Sequence, residues 1–217
     1  MTSFSICGLI NVIKEENINL LYNTNMYYIN KTLRNYNHKL KKEIDNNPVL
    51  WEKTKKYLNP YEYINQPHII NSISVCSYKP ISRSFFKMIE ILNHYNFKFP
   101  NNMKSFHLAE GPGGFIEALS YYRNNIEDIY YGMTLIDKNP SIPKWKKNVQ
   151  ILSNKNVFLE YGYDKTGNLY NKNNLIYIYK KYKHSIDFIT GDGGFDFSLN
   201  FNNQEENSLN LLFCQIL

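Results

Sequence analysis

The run Phe106-His107-Leu108-Ala109-Glu110-Gly111-Pro112-Gly113-Gly114-Phe115 constrains this chain most, because an apolar strand pattern passes straight into a glycine-dense turn that opens a helix. That passage builds a nucleotide or nucleoside pocket at the end of a β-strand. Gly111, Gly113 and Gly114 lack the Cβ atoms that would hold a ligand away from the backbone, and the amides of the next helical turn point into the same space. Read in isolation, the cluster also suits an ordinary proline and glycine turn.

Around this motif, strand-like and helix-like segments alternate. Candidate strands span 104–109, 130–135, 157–161 and 186–190, and candidate helices span 114–124, 143–149, 172–182 and 203–217. Alternation of this kind predicts an α/β fold with a largely parallel sheet. Ahead of it, Phe85, Phe86, Met88, Ile89, Ile91 and Leu92 recur with helical spacing between Pro80 and Pro100, which predicts an amphipathic helix over 82–95. Residues 1–79 read as a helical N-terminal extension, punctuated by Pro48, Pro60 and Pro67, with Leu50-Trp51 and Tyr57-Leu58 as apolar anchors. A length of 217 residues suits one such domain with an extension.

The formal charge of +6 and the 16% aromatic content allow a polyanionic partner without requiring one. Cys7, Cys76 and Cys214 are far apart and odd in number, so no zinc spacing or disulfide framework follows, as in a reducing compartment. Residues 4–13 lack the features of a signal peptide, and no apolar run is long enough to span a bilayer. The expectation is a soluble, intracellular, cytoplasmic protein that needs neither membrane nor metal.

A second strand, Asp187-Phe188-Ile189-Thr190-Gly191-Asp192-Gly193-Gly194-Phe195, also ends in an acid flanked by glycines. In open α/β sheets ligands bind beyond the carboxyl ends of strands, so both glycine loops face one crevice. Asp192 either overlooks that crevice or merely holds its turn. Lys87, in Ser82-Arg83-Ser84-Phe85-Phe86-Lys87, is the third element: a lysine near a carboxylate in a partly dry crevice can position or deprotonate a hydroxyl, although a lone helical lysine is usually a solvated charge. A dinucleotide fold would place glycine where Ile116 stands and an acid where Thr134 and Leu135 stand. No Gly-Lys-Ser/Thr follows the turn either, which excludes a P-loop.

Taken in order, Ser82 to Lys87, Leu108 to Phe115, Tyr131-Gly132-Met133-Thr134-Leu135, and Asp192-Gly193-Gly194-Phe195 with Asn203-Gln204-Glu205 resemble the FtsJ-like (RrmJ-type) RNA 2′-O-methyltransferases. The cap-specific branch of eukaryotes and large DNA viruses is the most similar. The resemblance covers residues 80–217 and implies a Rossmann-like class I methyltransferase sheet with S-adenosyl-L-methionine as cofactor. It implies cofactor contacts from Glu110, Gly111, Pro112, Gly113, Gly114, Phe115, Thr134, Asn168 and Asp192. Glu110 would lie near the ammonium and the glycine amides near the carboxylate. Lys87 and Asp192 would match two members of a Lys-Asp-Lys-Glu catalytic tetrad, and Ser82, Arg83, Asn202, Asn203 and Gln204 would face RNA, the 5′ end of capped mRNA above all.

The residue types suit that chemistry. A ribose 2′-hydroxyl must meet an already activated methyl group in line and lose one proton, which positioning by carboxylates and lysines achieves without a metal. The 2′-hydroxyl also separates RNA from DNA. Two departures stand out. Asn168 replaces an acid of the family in Gly162-Tyr163-Asp164-Lys165-Thr166-Gly167-Asn168-Leu169, with Asp164 as an alternative. The second lysine and the glutamate of the tetrad would lie beyond Leu217, so the expected sheet is truncated after its fourth strand, with an unpaired edge, as in a fragment of a longer protein. Ribosomal RNA is an alternative substrate, and a non-catalytic cofactor- or RNA-binding module is an alternative role.

Overall fold

A computed structural model describes residues 30–65, 75–139, 142–145, 150–194 and 204–216, and the chain divides into two units, 1–46 with Leu217 and 47–216. In the first unit, helix α1 (Lys31–Asn46) is polar and buries no side chain. The second unit carries α2 (Pro48–Leu58), α3 (Pro60–Asn65), α4 (Ser84–Tyr95), β1 (Lys104–Leu108), α5 (Gly114–Arg123), β2 (Ile129–Met133), β3 (Val157–Glu160), α6 (Lys172–Tyr182), β4 (Phe188–Gly191) and α7 (Gln204–Ile216).

Pro48 opens α2, where its missing amide costs nothing, and Pro60 ends the helix and begins α3. Asn59 Oδ1 accepts the Tyr61 and Glu62 amides and so caps α3. The α2 anchors differ from expectation. Trp51 is half-buried with Thr54 and Lys55 on one helical face, whereas Leu50 and Tyr57 fall outside that stripe and Leu58, although on it, is the last residue of the helix, and all three stay exposed.

All three strand pairings are parallel, in the order β3-β2-β1-β4. A parallel sheet must be covered on both faces. On one face, Phe85, Met88 and Leu92 of α4 join Phe115, Ile116, Ala118 and Leu119 of α5 over Tyr130 and Val157. On the other, Phe106 and Met133 pack with Leu169 and with Leu211 of α7, flanked by Leu175, Ile178 and Tyr182 of α6. Alternation along β1 thus sends Phe106 to the second face and Ser105 and His107 to the first. There the imidazole bridges Ser105 Oγ (2.8 Å to Nε2) and Thr190 Oγ1 of β4 (2.7 Å to Nδ1), so both ring nitrogens are satisfied although the residue is fully buried. The sheet is a four-stranded, parallel, Rossmann-like methyltransferase sheet with helices on both faces and further helices N-terminal to it.

The segment expected to be helical at 143–149 is irregular at 143–145 and lies outside the described residues at 146–149; a 3-10 turn follows at Gln150–Ser153. Trp145 explains the difference. Its ring lies over Gly132 of β2, where a Cβ would stand 2.8 Å from Cη2, and this fixes the chain as a strap rather than a helix.

The loop after β3 returns against the end of β2. Ile136 donates its amide to Thr166 O (2.7 Å), and Gly167, at φ +67°, lies so close that a Cβ there would overlap the Thr134 carbonyl oxygen. Gly167→Ala should therefore lose about 1–2 kcal/mol from backbone conformation alone and more from the displaced loop. Urea unfolding will show the loss as a lower midpoint with an unchanged slope.

Candidate active site

In the strand order 3-2-1-4 the chain winds outward from β1 in both directions, so the crevice of such a sheet opens between the carboxyl ends of β1 and β4. Leu108 pairs with Gly191 there, and the next residues deliver Glu110 from one strand and Asp192 from the other. Lys87 reaches the same place from α4, and its ammonium forms an ion pair with Asp192 Oδ2. The two side chains are 35% and 39% exposed, so the pair borders solvent. Beneath it the Phe115 ring lies 6.0 Å from Lys87 Nζ, so the lysine stem runs along the core edge with its charge at the boundary. Three segments far apart in sequence thus converge as the motifs predict.

Glu110 does more than face the crevice. Its Oε1 accepts the Phe115 amide at 2.8 Å and the Ile116 amide at 3.1 Å, and its carbonyl accepts the Gly113 amide at 2.8 Å. The acid therefore caps α5, taking amides that the sequence reading left open for a ligand. The glycines are likewise close-packed on protein. A Cβ at Gly111 would stand 2.7 Å from Thr134 Oγ1 and 2.8 Å from the Pro143 carbonyl oxygen. One at Gly113, which has φ +119°, would crowd Leu152, and one at Gly114 would overlap the Ser82 and Ser84 hydroxyls. Those hydroxyls share a 2.6 Å hydrogen bond beside the turn. Pro112, joined to Gly111 by a cis peptide, stays half-buried.

The cofactor candidates at the end of β2 also converge. Gly111 abuts buried Thr134, and Gly167 abuts Thr134 from the other side, which brings Asn168 to the same strand end. Asn168 Oδ1 accepts the Tyr170 amide at 2.9 Å. Asp164, the alternative, is engaged within its own loop. Its Oδ1 accepts Thr166 N, Thr166 Oγ1 and Asn174 Nδ2 and its Oδ2 accepts Asn171 Nδ2, bonds that hold the carboxyl well below the usual range and tie the loop together. Arg83 is held by the Glu62 carboxylate of α3. Asn202 and Asn203 lie outside the described residues, as does the side chain of Gln204, which opens α7.

Sequence reasoning missed Gln215. The amide of this α7 residue spans both glycines that flank Asp192: a Cβ at Gly191 would stand 2.8 Å from its Oε1, and one at Gly193 would overlap its Nε2. Glu62, Tyr61 and Trp145 were missed as well. Only the glycines opposite Gln215 and Trp145 hinted at close neighbours.

The profile of the FtsJ-like methyltransferases matches residues 80–217, the span that carries the crevice and everything in it. The chain belongs to the FtsJ-like methyltransferase family. No curated protein matches it. FtsJ-like methyltransferases use S-adenosylmethionine, and the residues of the crevice fit a cofactor that carries an ammonium and a sulfonium, since the Asp192 carboxylate stands at the end of β4 opposite the glycine turn that follows β1. Among the described residues, no group of three or more His, Cys, Asp or Glu is arranged to hold a metal ion, and no helix is long and apolar enough to cross a membrane.

Electrostatics at the crevice give a pH signature. Burial pushes the Glu110 carboxyl up to about 8, against the two amide bonds and with a smaller push from the Asp192 charge. Burial pulls His107 down to about 3. A carboxyl raised on folding contributes stability that is present below about pH 4.5 and lost as pH climbs towards 8. A buried neutral histidine contributes stability that is present above about pH 6.5 and lost as pH falls towards 3. Each group changes stability by at most about 1.4 kcal/mol per pH unit inside its window. Glu110→Gln should flatten the alkaline limb of the stability profile and leave the acid limb in place, as denaturant titrations at pH 5, 7 and 9 will show.

Proposed function

We propose that this FtsJ-like methyltransferase transfers a methyl group from S-adenosylmethionine to a ribose 2′-hydroxyl of RNA, at the cap-proximal nucleotide of mRNA. The observation that carries this reading is the Lys87–Asp192 pair at the sheet's switch point, beside Glu110 and the glycine turn. When bound, S-adenosylmethionine supplies a methyl group already activated by a sulfonium leaving group. Asp192 places negative charge beside it, Glu110 shapes the turn that would hold it by capping α5, and Thr134 and Asn168 close the adenosine side. Asp192 accepts a hydrogen bond from the incoming 2′-hydroxyl and holds it in line. Lys87, supported by Asp192 and the Phe115 face, sets a positive charge against the oxygen as its proton passes through the Asp192 carboxylate to solvent. Ser82 and Ser84, at the rim beside Gly114, offer hydroxyls to the ribose-phosphate backbone.

The substrate is decided by competition. Radiolabelled methyl incorporation is expected on capped RNA and not on the same RNA with a 5′-triphosphate. Label on uncapped ribosomal fragments alone would replace the mRNA assignment with a ribosomal one. S-adenosylmethionine binding with no transfer to any RNA would favour a binding module.

A further inference from the structure

Arg83, assigned above to RNA, is already occupied. The Glu62 carboxylate of α3 pairs with its guanidinium, and the acid is the more buried partner, 19% exposed against 52% for the arginine. Arg83 has helical backbone angles, so positions 83, 87 and 90 continue one stripe of α4 at i, i+4 and i+7. Helix α3 grips that stripe on either side of Lys87: Glu62 holds Arg83, and the Tyr61 hydroxyl donates to Glu90. Asn59 caps both gripping residues through their amides, so Tyr61 and Glu62 are set as a unit.

To a guanidinium, a carboxylate and a phosphodiester offer the same ligand, a pair of anionic oxygens. An arginine held by one is withheld from the other. We propose that Glu62 is an internal competitor of RNA phosphate for Arg83, so that α3 sets how tightly RNA is held beside Lys87. This deepens the RNA 2′-O-methyltransferase reading and rests on it. A half-exposed ion pair shifts an equilibrium by no more than about fivefold, so RNA displaces Glu62 rather than being locked out by it.

The test is RNA binding by the full chain, followed by fluorescence anisotropy over a salt series, for the unmodified protein, Glu62→Gln, Arg83→Gln and the double variant. Glu62→Gln should tighten RNA binding about two- to fivefold and steepen the logarithmic salt dependence by about 0.7, the single-strand value for one added phosphate contact. Arg83→Gln should weaken binding, and Glu62→Gln should then change nothing. Glu62→Asp, which keeps the charge but shortens its reach, should fall between Gln and the unmodified protein even if the Gln variant folds poorly. Unchanged or weaker binding by both Glu62 variants, or a Glu62→Gln effect that persists without Arg83, overturns the proposal. Methyl incorporation by the unmodified chain separates the two claims: if RNA is methylated on the 2′-oxygen while Glu62 proves irrelevant, only the competitor fails. If RNA neither binds at low salt nor accepts methyl groups, both fail.

Discussion

Asp192→Ala is expected to slow methyl transfer by about two to four orders of magnitude while leaving the fold intact. The carboxylate holds the Lys87 ammonium, and in the proposed mechanism it also meets the incoming hydroxyl; it stands at the carboxyl end of β4 beside the Glu110 turn. Its removal leaves the ammonium without its partner and the nucleophile without an acceptor. Stability should change by less than about 1 kcal/mol, because the pair borders solvent and exposed pairs contribute little. Lys87→Ala should slow turnover comparably, while S-adenosylhomocysteine binding suffers more from loss of Asp192 than of Lys87. Single-turnover rates beside calorimetric cofactor affinities will separate these effects. Comparable losses of cofactor affinity in both variants would mean that the pair serves binding rather than transfer.

Asp128→Ala is expected to cost about 3–5 kcal/mol of stability without altering the chemistry of the protein that remains folded. Asp128 is fully buried just before β2, at the opposite end of the strands from the crevice. Its Oδ1 accepts the Met103 amide (2.9 Å), Arg123 Nη2 (3.0 Å) and Asn125 Nδ2 (3.1 Å), and its Oδ2 accepts Arg123 Nε at 2.7 Å. Arg123 Nη2 donates in turn to the Pro100 carbonyl at 2.8 Å. One carboxylate thus ties the entry to β1, the end of α5 and the start of β2. Alanine strands a largely buried guanidinium and an amide at once, whereas Asp128→Asn should retain the Met103 bond and lose less. Chemical denaturation measures the difference, and a loss below about 1 kcal/mol would show that water replaces the carboxylate.

The sheet was legible because its strands and helices obey their periods. Phe85, Met88 and Leu92 mark the buried face of α4, and α6 runs over 172–182 as its pattern predicts. The strap at 143–145 was not legible, because what fixes it is the distant Gly132 under Trp145 rather than any local preference. The convergence of Glu110 and Asp192 could be anticipated from strand-end logic, and that of Lys87 only from the family resemblance. The partners of these residues could not. Glu110 turns inward to cap α5, Asp164 is consumed by its own loop, and Arg83 is held by an acid 21 positions earlier in the chain. A motif names the side chain that chemistry needs, but packing decides which neighbour satisfies it in the folded chain.

The position of the transferred methyl group decides most directly between ribose and base chemistry. Capped RNA is treated with the protein and labelled S-adenosylmethionine, digested to nucleosides and resolved by mass spectrometry, beside an identical RNA carrying a 2′-deoxy residue at the acceptor position. A 2′-O-methylnucleoside is expected from the first RNA and no label from the second. Label on a base, or label that persists without the 2′-hydroxyl, would contradict the assignment of Lys87 and Asp192 to 2′-O transfer.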